Sequence, residues 1–213
     1  MQLPSDISAS LIAAFPVELT GDAEAVLAVM PASRLRPANP FSVTVEGQQV
    51  SIPGRLYNDE PPPGTVGSLT PRQRQILHCL YSRHCDGTVR QSHLVEIVGS
   101  EEPWVAPFIV QLAGEYVLEL LVVIGDELHD LATGTPRHLT YGQFIVDNPA
   151  FFARTQRRVV SYWSCYYRSA YPSFQDYPGS TLLDLLRSAA SDRAGHPWPD
   201  LTPADGARAD GYC

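Results

Sequence analysis

The side chains best spaced for chemistry in this sequence are carboxylates. Glu115 and Glu119 stand four residues apart, Asp126 and Asp130 follow, and His129 sits three residues beyond Asp126. Residues three and four apart share a helix face. If one helix carries them all, Gln111, Glu115, Glu119, Asp126 and Asp130 fall within about 100° of arc on an otherwise apolar rod. Paired carboxylates with a histidine at i, i+3 can do acid–base work or ligate a metal, so a metal-dependent hydrolase using Glu115, Glu119, Asp126 and His129 is one reading. A di-metal helical bundle, however, takes Glu-x-x-His from two helices, and no second copy occurs. The stripe can equally be a solvated edge, or pair with arginines of a neighbouring helix, which is the reading favoured here.

The arginines stand in the next predicted helix but one. From Asn148 to Gln175 there is no acidic residue, whereas from Gln91 to Pro136 there are eight acids and no arginine. Arg154, Arg157 and Arg168 cluster on one side of a helix whose other side carries Phe151, Phe152, Val159, Trp163 and several tyrosines. Besides closing on the acidic stripe, this basic, aromatic-flanked face can take an anion or single-stranded nucleic acid. Tyr171, Phe174 and Tyr177 extend the aromatic run into a loop. Tyr, Trp and Arg dominate binding hot spots, so these six residues are the predicted interaction surface.

Other motifs are weaker. His78-Cys79 and His84-Cys85 suggest zinc, but seven residues of helix separate His78 from Cys85 by about 10 Å. Zinc donors each lie ~2.0–2.3 Å from the ion. Buried Cys79 and a turn-end His84 are the ordinary readings. His93, His138 and His196 have no partner at motif spacing, and no nucleophile elbow, phosphate loop or dinucleotide fingerprint occurs. No cofactor and no bound metal are expected.

Composition narrows the field further. The chain has 213 residues with 15 basic and 23 acidic side chains, net charge −8. All fifteen basic residues are arginine, which removes lysine chemistry. A pI of about 5.1 argues against general phosphate binding and against anionic membranes. The opening residues carry no basic stretch of the secretory kind, and four cysteines in such a chain read as free cytosolic thiols. The apolar run Pro103–Gly125 is long enough to span a bilayer, but Glu115 and Glu119 inside it each cost roughly 2.5–3.5 kcal/mol to insert. It reads as a core helix.

These features need helices to position them. Residues 72–171 hold only four of nineteen prolines, so long helices are expected there. Residues 1–67 read as two short helices, a β-hairpin around Glu46-Gly47 and a Pro-rich connection over 58–67. Residues 68–191 read as a helical domain with starts at Thr70-Pro71, Val89, Ser100, Thr140, Asn148-Pro149 and Thr181. Pro107 is expected to kink or restart the third of these helices, which then continues to about Leu131. Residues 192–213 read as a flexible tail.

Asp86, Val89 and Arg90, followed by Leu94 and Ile97, resemble the turn and inner-helix start of HEAT-type α-helical repeats; Glu102-Pro103-Trp104-Val105 is a fainter second occurrence. The resemblance implies stacked antiparallel helices and carries no functional residues. The sequence therefore predicts a mainly α protein with a HEAT-like stack and a small N-terminal hairpin. Its expected role is non-catalytic protein–protein interaction in the bacterial cytosol, as an adaptor or antitoxin/immunity-like protein. A protein partner is expected, with neither nucleic acid nor membrane.

Overall fold

The structure, a computed structural model, describes residues 3–129, 131 and 133–203. It is mainly helical, with 58% helix, ten α-helices among the described residues and one two-stranded antiparallel sheet. The chain divides between Ile97 and Val98 into two compact units, and the Pro-rich connection 58–67 lies within the first.

In the first unit, α1 (Ser5–Ile12) and α2 (Thr20–Val29) precede the hairpin β1 (Phe41–Val45) and β2 (Gln48–Ile52). The register pairs Phe41 with Ile52 and Val45 with Gln48. Glu46 and Gly47 both have positive φ, 48° and 79°, the pair of left-handed residues that a tight turn matched to strand twist requires. Val43, Val45, Val50 and Ile52 face inward, and the Ser51 amide donates to the Ala13 carbonyl at 2.7 Å, tying β2 to the end of α1. A single helical turn, α3 (Pro63–Val66), interrupts the connection expected to be an exposed strap.

The helix α4 (Pro71–Tyr81) starts where expected, with Pro71 at its first position. Thr70 Oγ1 accepts the Gln73 amide at 3.2 Å while Gln73 Oε1 accepts the Thr70 amide at 3.0 Å, so two orphan donors of the helix start are satisfied reciprocally. Gln73 also donates to Asp22 on α2 at 2.9 Å. The turn into α5 (Gly87–Val95) is closed twice. Asp86 caps it by accepting the Thr88 amide at 2.8 Å, and the buried Arg90 donates to the carbonyls of His84 and Cys85 at 2.8 and 3.0 Å. Those are the residues that carry the repeat-like signature, and their role is local: they hold the α4–α5 corner.

The second unit contains α6 (Ala106–Ala113), α7 (Leu118–Leu128), α8 (Pro136–Asp147), α9 (Pro149–Tyr162) and α10 (Pro178–Ala194). The helix expected to continue from Pro107 to about Leu131 is two helices. Gly114 ends α6, and Val117 is extended, with φ −84° and ψ 108°. Apolar residues continue across the break because both helices are buried, so periodicity alone does not reveal it. No helix among the described residues is long and apolar enough to cross a membrane.

At its C-terminal end α9 widens into a π-helical turn, Trp163–Tyr167. The last helix is longer than the expected 181–190, and residues expected in the tail belong to it or fold back. Residues 192–194 are helical, Gly195 stops the helix at φ 75°, and the Trp198 amide donates to Ser191 at 2.9 Å. The Leu201 amide donates to the buried Gln156 of α9 at 3.1 Å, and Gln156 returns a bond to the Pro199 carbonyl at 3.3 Å. Residues 204–213 lie outside the described residues.

Two glycines separate close packing from open space. A Cβ on Gly142 of α8 would sit 2.4 Å from the Ala189 carbonyl of α10, whereas one on Gly125 of α7 would meet nothing within 4 Å. Gly142→Ala is expected to destabilise the protein by about 1–3 kcal/mol through overpacking. Gly125→Ala is expected to stabilise it by roughly 0.5–1 kcal/mol, since mid-helix glycine carries the larger entropy cost. Urea midpoints of the two variants check the opposite signs.

Candidate functional site

The predicted carboxylate site does not form as a row on one rod. Glu115 falls in the break between α6 and α7 and is buried at 1% exposure. Glu119 lies in the first turn of α7, exposed, where the helix dipole favours a negative charge; Asp126 is exposed near its end. His129 bonds the Asp126 backbone carbonyl through Nδ1. Asp130 lies outside the described residues. Among the described residues no group of three or more His, Cys, Asp or Glu is placed to hold a metal ion. The break at Gly114 thus takes Glu115 off the helix that carries Glu119 and Asp126 and ends at His129. Glu127, passed over in the sequence, is the acid of α7 with a resolved arginine partner: Arg137 at 2.6 Å.

The arginines turn mostly toward aromatic rings. Arg154 lies over Phe151 at 5.8 Å, Arg158 over Tyr162 at 5.7 Å and Arg168 over Trp163 at 5.7 Å. Arg154 and Arg157 are exposed. The aromatic loop needs correction. Phe174 is 2% and Tyr177 0% exposed, so neither is presented to a partner. Trp163 packs edge-on against Phe174 at 5.3 Å, and Tyr177 stacks on Tyr167 and meets Tyr171 edge-on, each at 5.5 Å. Trp163 Nε1 donates to the Tyr171 carbonyl at 2.8 Å, which fixes the loop as core. Tyr171 is half-buried.

The exposed aromatics are others. Tyr116 is 50% and Tyr166 66% exposed; with half-buried Tyr162 they form a three-ring cluster. Tyr116 lies 5.9 Å from Tyr162 and 6.3 Å from Tyr166, and Tyr162 lies 6.2 Å from Tyr166, all within the range of attractive ring contacts. Arg158 donates weakly to the Tyr162 hydroxyl at 3.4 Å. Two local irregularities build this platform. The α6–α7 break carries Tyr116, and the π turn displaces the rings of 163–167 from the regular helical wheel. The Tyr167 hydroxyl joins the two by donating to the Tyr116 carbonyl. Regular 3.6-residue stepping groups Tyr162, Tyr166 and Tyr167 with the buried side, which is why sequence reasoning missed the cluster.

A second constellation, in the first unit, was also missed. His78 Nδ1 lies 2.8 Å from His93 Nδ1, and His93 Nε2 lies 2.8 Å from Glu60 Oε1. Tyr81 stacks on His93 at 5.0 Å and donates its hydroxyl to the Asp59 carbonyl at 2.6 Å. Burial lowers the His78 pKa to about 4, assisted by His93. Burial likewise lowers that of His93 against the opposing pull of Glu60. The members are 15 and 33 residues apart on α4, α5 and the Pro-rich connection, beyond any motif spacing. Of the cysteines expected to be free, Cys79 is free and buried, its thiol pKa pushed up by desolvation, and Cys85 is free and exposed. Cys165 is disulfide-bonded, and Cys213 lies outside the described residues. His138 meets Asp192 of α10 at 3.2 Å, a pairing far from any motif spacing.

No protein-family model matches the chain, and neither a curated protein nor a solved structure matches it significantly.

The division between presented and packed aromatics is measurable. Tyr166→Ala is expected to leave stability within about 0.5 kcal/mol, as for other exposed positions. Phe174→Ala is expected to cost about 3–5 kcal/mol as a buried ring deletion. Denaturant melts of the two variants decide it.

Proposed function

We propose that this chain is a non-catalytic protein-interaction protein, an adaptor or immunity-type binder. Its docking face is the Tyr116–Tyr162–Tyr166 platform, with Arg158 against Tyr162 and with Arg154 and Arg157 exposed on the same helix. The observation that carries the reading is the platform itself: three tyrosines in mutual contact, two of them at least half exposed; Tyr162 and Tyr166 stand on a stretch with four arginines and no acid, and Tyr116 stands between Glu115 and Glu119. Tyrosine and arginine are the side chains on which binding energy concentrates. The sign of the charge specifies a carboxylate-bearing partner surface, which a chain of net −8 would otherwise repel.

HEAT-like stacking belongs to the same reading and is supported at the α4–α5 corner, where Asp86 and Arg90 close a short turn between consecutive helices. A bacterial cytosolic setting is supported by the free thiols of Cys79 and Cys85.

Affinity capture from the native cell, using the wild-type chain, Tyr166→Ala and the double variant Arg154→Glu/Arg157→Glu, tests the proposal. The wild type is expected to retain a protein that Tyr166→Ala holds at least about tenfold more weakly, a loss of roughly 1.4 kcal/mol or more. The double reversal is expected to abolish capture at moderate salt. Equal capture by all three would remove this face from the function.

A further inference from the structure

The histidine pair of the first unit has a geometry that nothing in the proposed interaction uses. Glu60 accepts at His93 Nε2, 2.8 Å away, so the ring hydrogen of His93 sits on Nε2 and its Nδ1 presents a lone pair. That lone pair faces His78 Nδ1 at 2.8 Å. A carboxylate on the far nitrogen of a histidine is the arrangement that orients imidazoles bound to metals and raises their basicity. The rings are tilted by 46°, with centroids 4.9 Å apart, so their Nδ1 atoms converge without the rings stacking.

We infer that His78 and His93 form an exchangeable two-imidazole site for a divalent transition-metal ion, with Glu60 orienting His93 and water completing the coordination. The separation of the donors selects the ion. With metal–nitrogen bonds of ~2.0–2.1 Å, two donors 2.8 Å apart subtend about 86° at the metal. That is the cis angle of tetragonal or octahedral coordination, the geometry of Cu²⁺ and Ni²⁺. Tetrahedral zinc would need the nitrogens about 3.3 Å apart, so the pair would have to open by roughly half an ångström. The divalent affinity order also places copper above nickel and zinc.

The charges around the pair are mixed: Glu60 and Glu96 favour a cation, Arg74 opposes it. Binding turns both rings so that their Nδ1 lone pairs leave the N···N line and point to a common ion, and it moves one hydrogen. The Nδ1 hydrogen that His78 shares with His93 passes through solvent to His78 Nε2, leaving both Nδ1 lone pairs on the metal and both rings neutral, so no net proton is released. No third side chain among the described residues joins them, which makes the site one that loads and unloads.

Calorimetric titration of the tag-free, EDTA-stripped full chain with Cu²⁺, Ni²⁺ or Zn²⁺ tests the site. One saturable equivalent of Cu²⁺ is expected, with Ni²⁺ weaker and Zn²⁺ weaker than the copper. The equivalent is expected to be lost in His78→Gln and in His93→Gln, kept in His196→Gln, and weakened 10- to 100-fold in Glu60→Gln. Since a histidine variant can lose structure, NMR of the wild type supplies the independent readout: substoichiometric Cu²⁺ should broaden the ring signals of His78 and His93 before those of the other four histidines. The inference is overturned by the absence of a one-equivalent isotherm, by broadening elsewhere first, or by unchanged binding in folded His78→Gln and His93→Gln. None of these outcomes bears on the tyrosine platform, which lies in the other unit.

Discussion

Ending a helix inside an apolar core leaves backbone carbonyls without partners, and each one left bare costs free energy. The second unit meets that constraint at Gly114. The Gly114 and Glu115 amides fold back onto the Gln111 and Leu112 carbonyls at 3.2 and 3.0 Å, a tightened last turn. The Tyr116 carbonyl, carried outward by the break, is taken by the Tyr167 hydroxyl. Tyr167 is the last residue of the π turn, so the break between α6 and α7 and the irregular end of α9 are joined by one hydrogen bond. Trp163, also in that turn, bonds the Tyr171 carbonyl and anchors the following loop over Phe174. The positions of Tyr116, Tyr162 and Tyr166 all follow from this linkage of two helix irregularities.

The use of arginine throughout has a consequence at the same place. A guanidinium is planar and weakly hydrated and lies flat against a ring, whereas an ammonium is a compact, strongly hydrated charge. Three arginines of 148–175 lie over rings of their own segment, Arg154, Arg158 and Arg168. An exposed cation–π contact contributes on the order of 0.5–1 kcal/mol; its larger effect here is positional. Arg158 is held against Tyr162 instead of ranging through solvent, so less side-chain entropy remains to be lost when the face is covered. Segregating the charge by sign leaves this stretch positive on a chain that is negative as a whole.

What could be read in advance followed from strictly local rules. The Thr70 helix start, the Glu46-Gly47 turn and the proline starts at Pro71 and Pro149 depend on neighbours within four residues, and all stand in the structure. The break at Gly114 could not be read, because Leu112, Ala113, Leu120 and Leu121 are all buried and an apolar run carries no phase to lose. A wheel of 3.6 residues per turn puts Tyr166 on the packed side because it steps through a segment that is π-helical. Phe174 opens a short 3₁₀ turn and Tyr177 stands at the start of α10; a connection lined with large aromatics has more to gain by packing than by facing water.

The histidine chain shows the other limit. His78, His93 and Glu60 are each unremarkable in sequence, and only the α4–α5 corner and the path of 58–63 bring them together. That path is itself fixed by backbone pairing: the Leu56 amide donates to the Arg83 carbonyl, and the Cys85 amide to the Leu56 carbonyl, each at 2.8 Å. Tyr81 then holds the chain two residues beyond Tyr57 through the Asp59 carbonyl, leaving Glu60 opposite His93. Two backbone bonds and one hydroxyl thus set the tautomer of a histidine on another helix. The Arg90 clasp that resembles a repeat motif serves the same corner, since it holds the carbonyls of His84 and Cys85 at the end of the segment to which Leu56 is paired. A feature readable as architecture in the sequence therefore acts, in the fold, as the support of a polar site the sequence does not reveal.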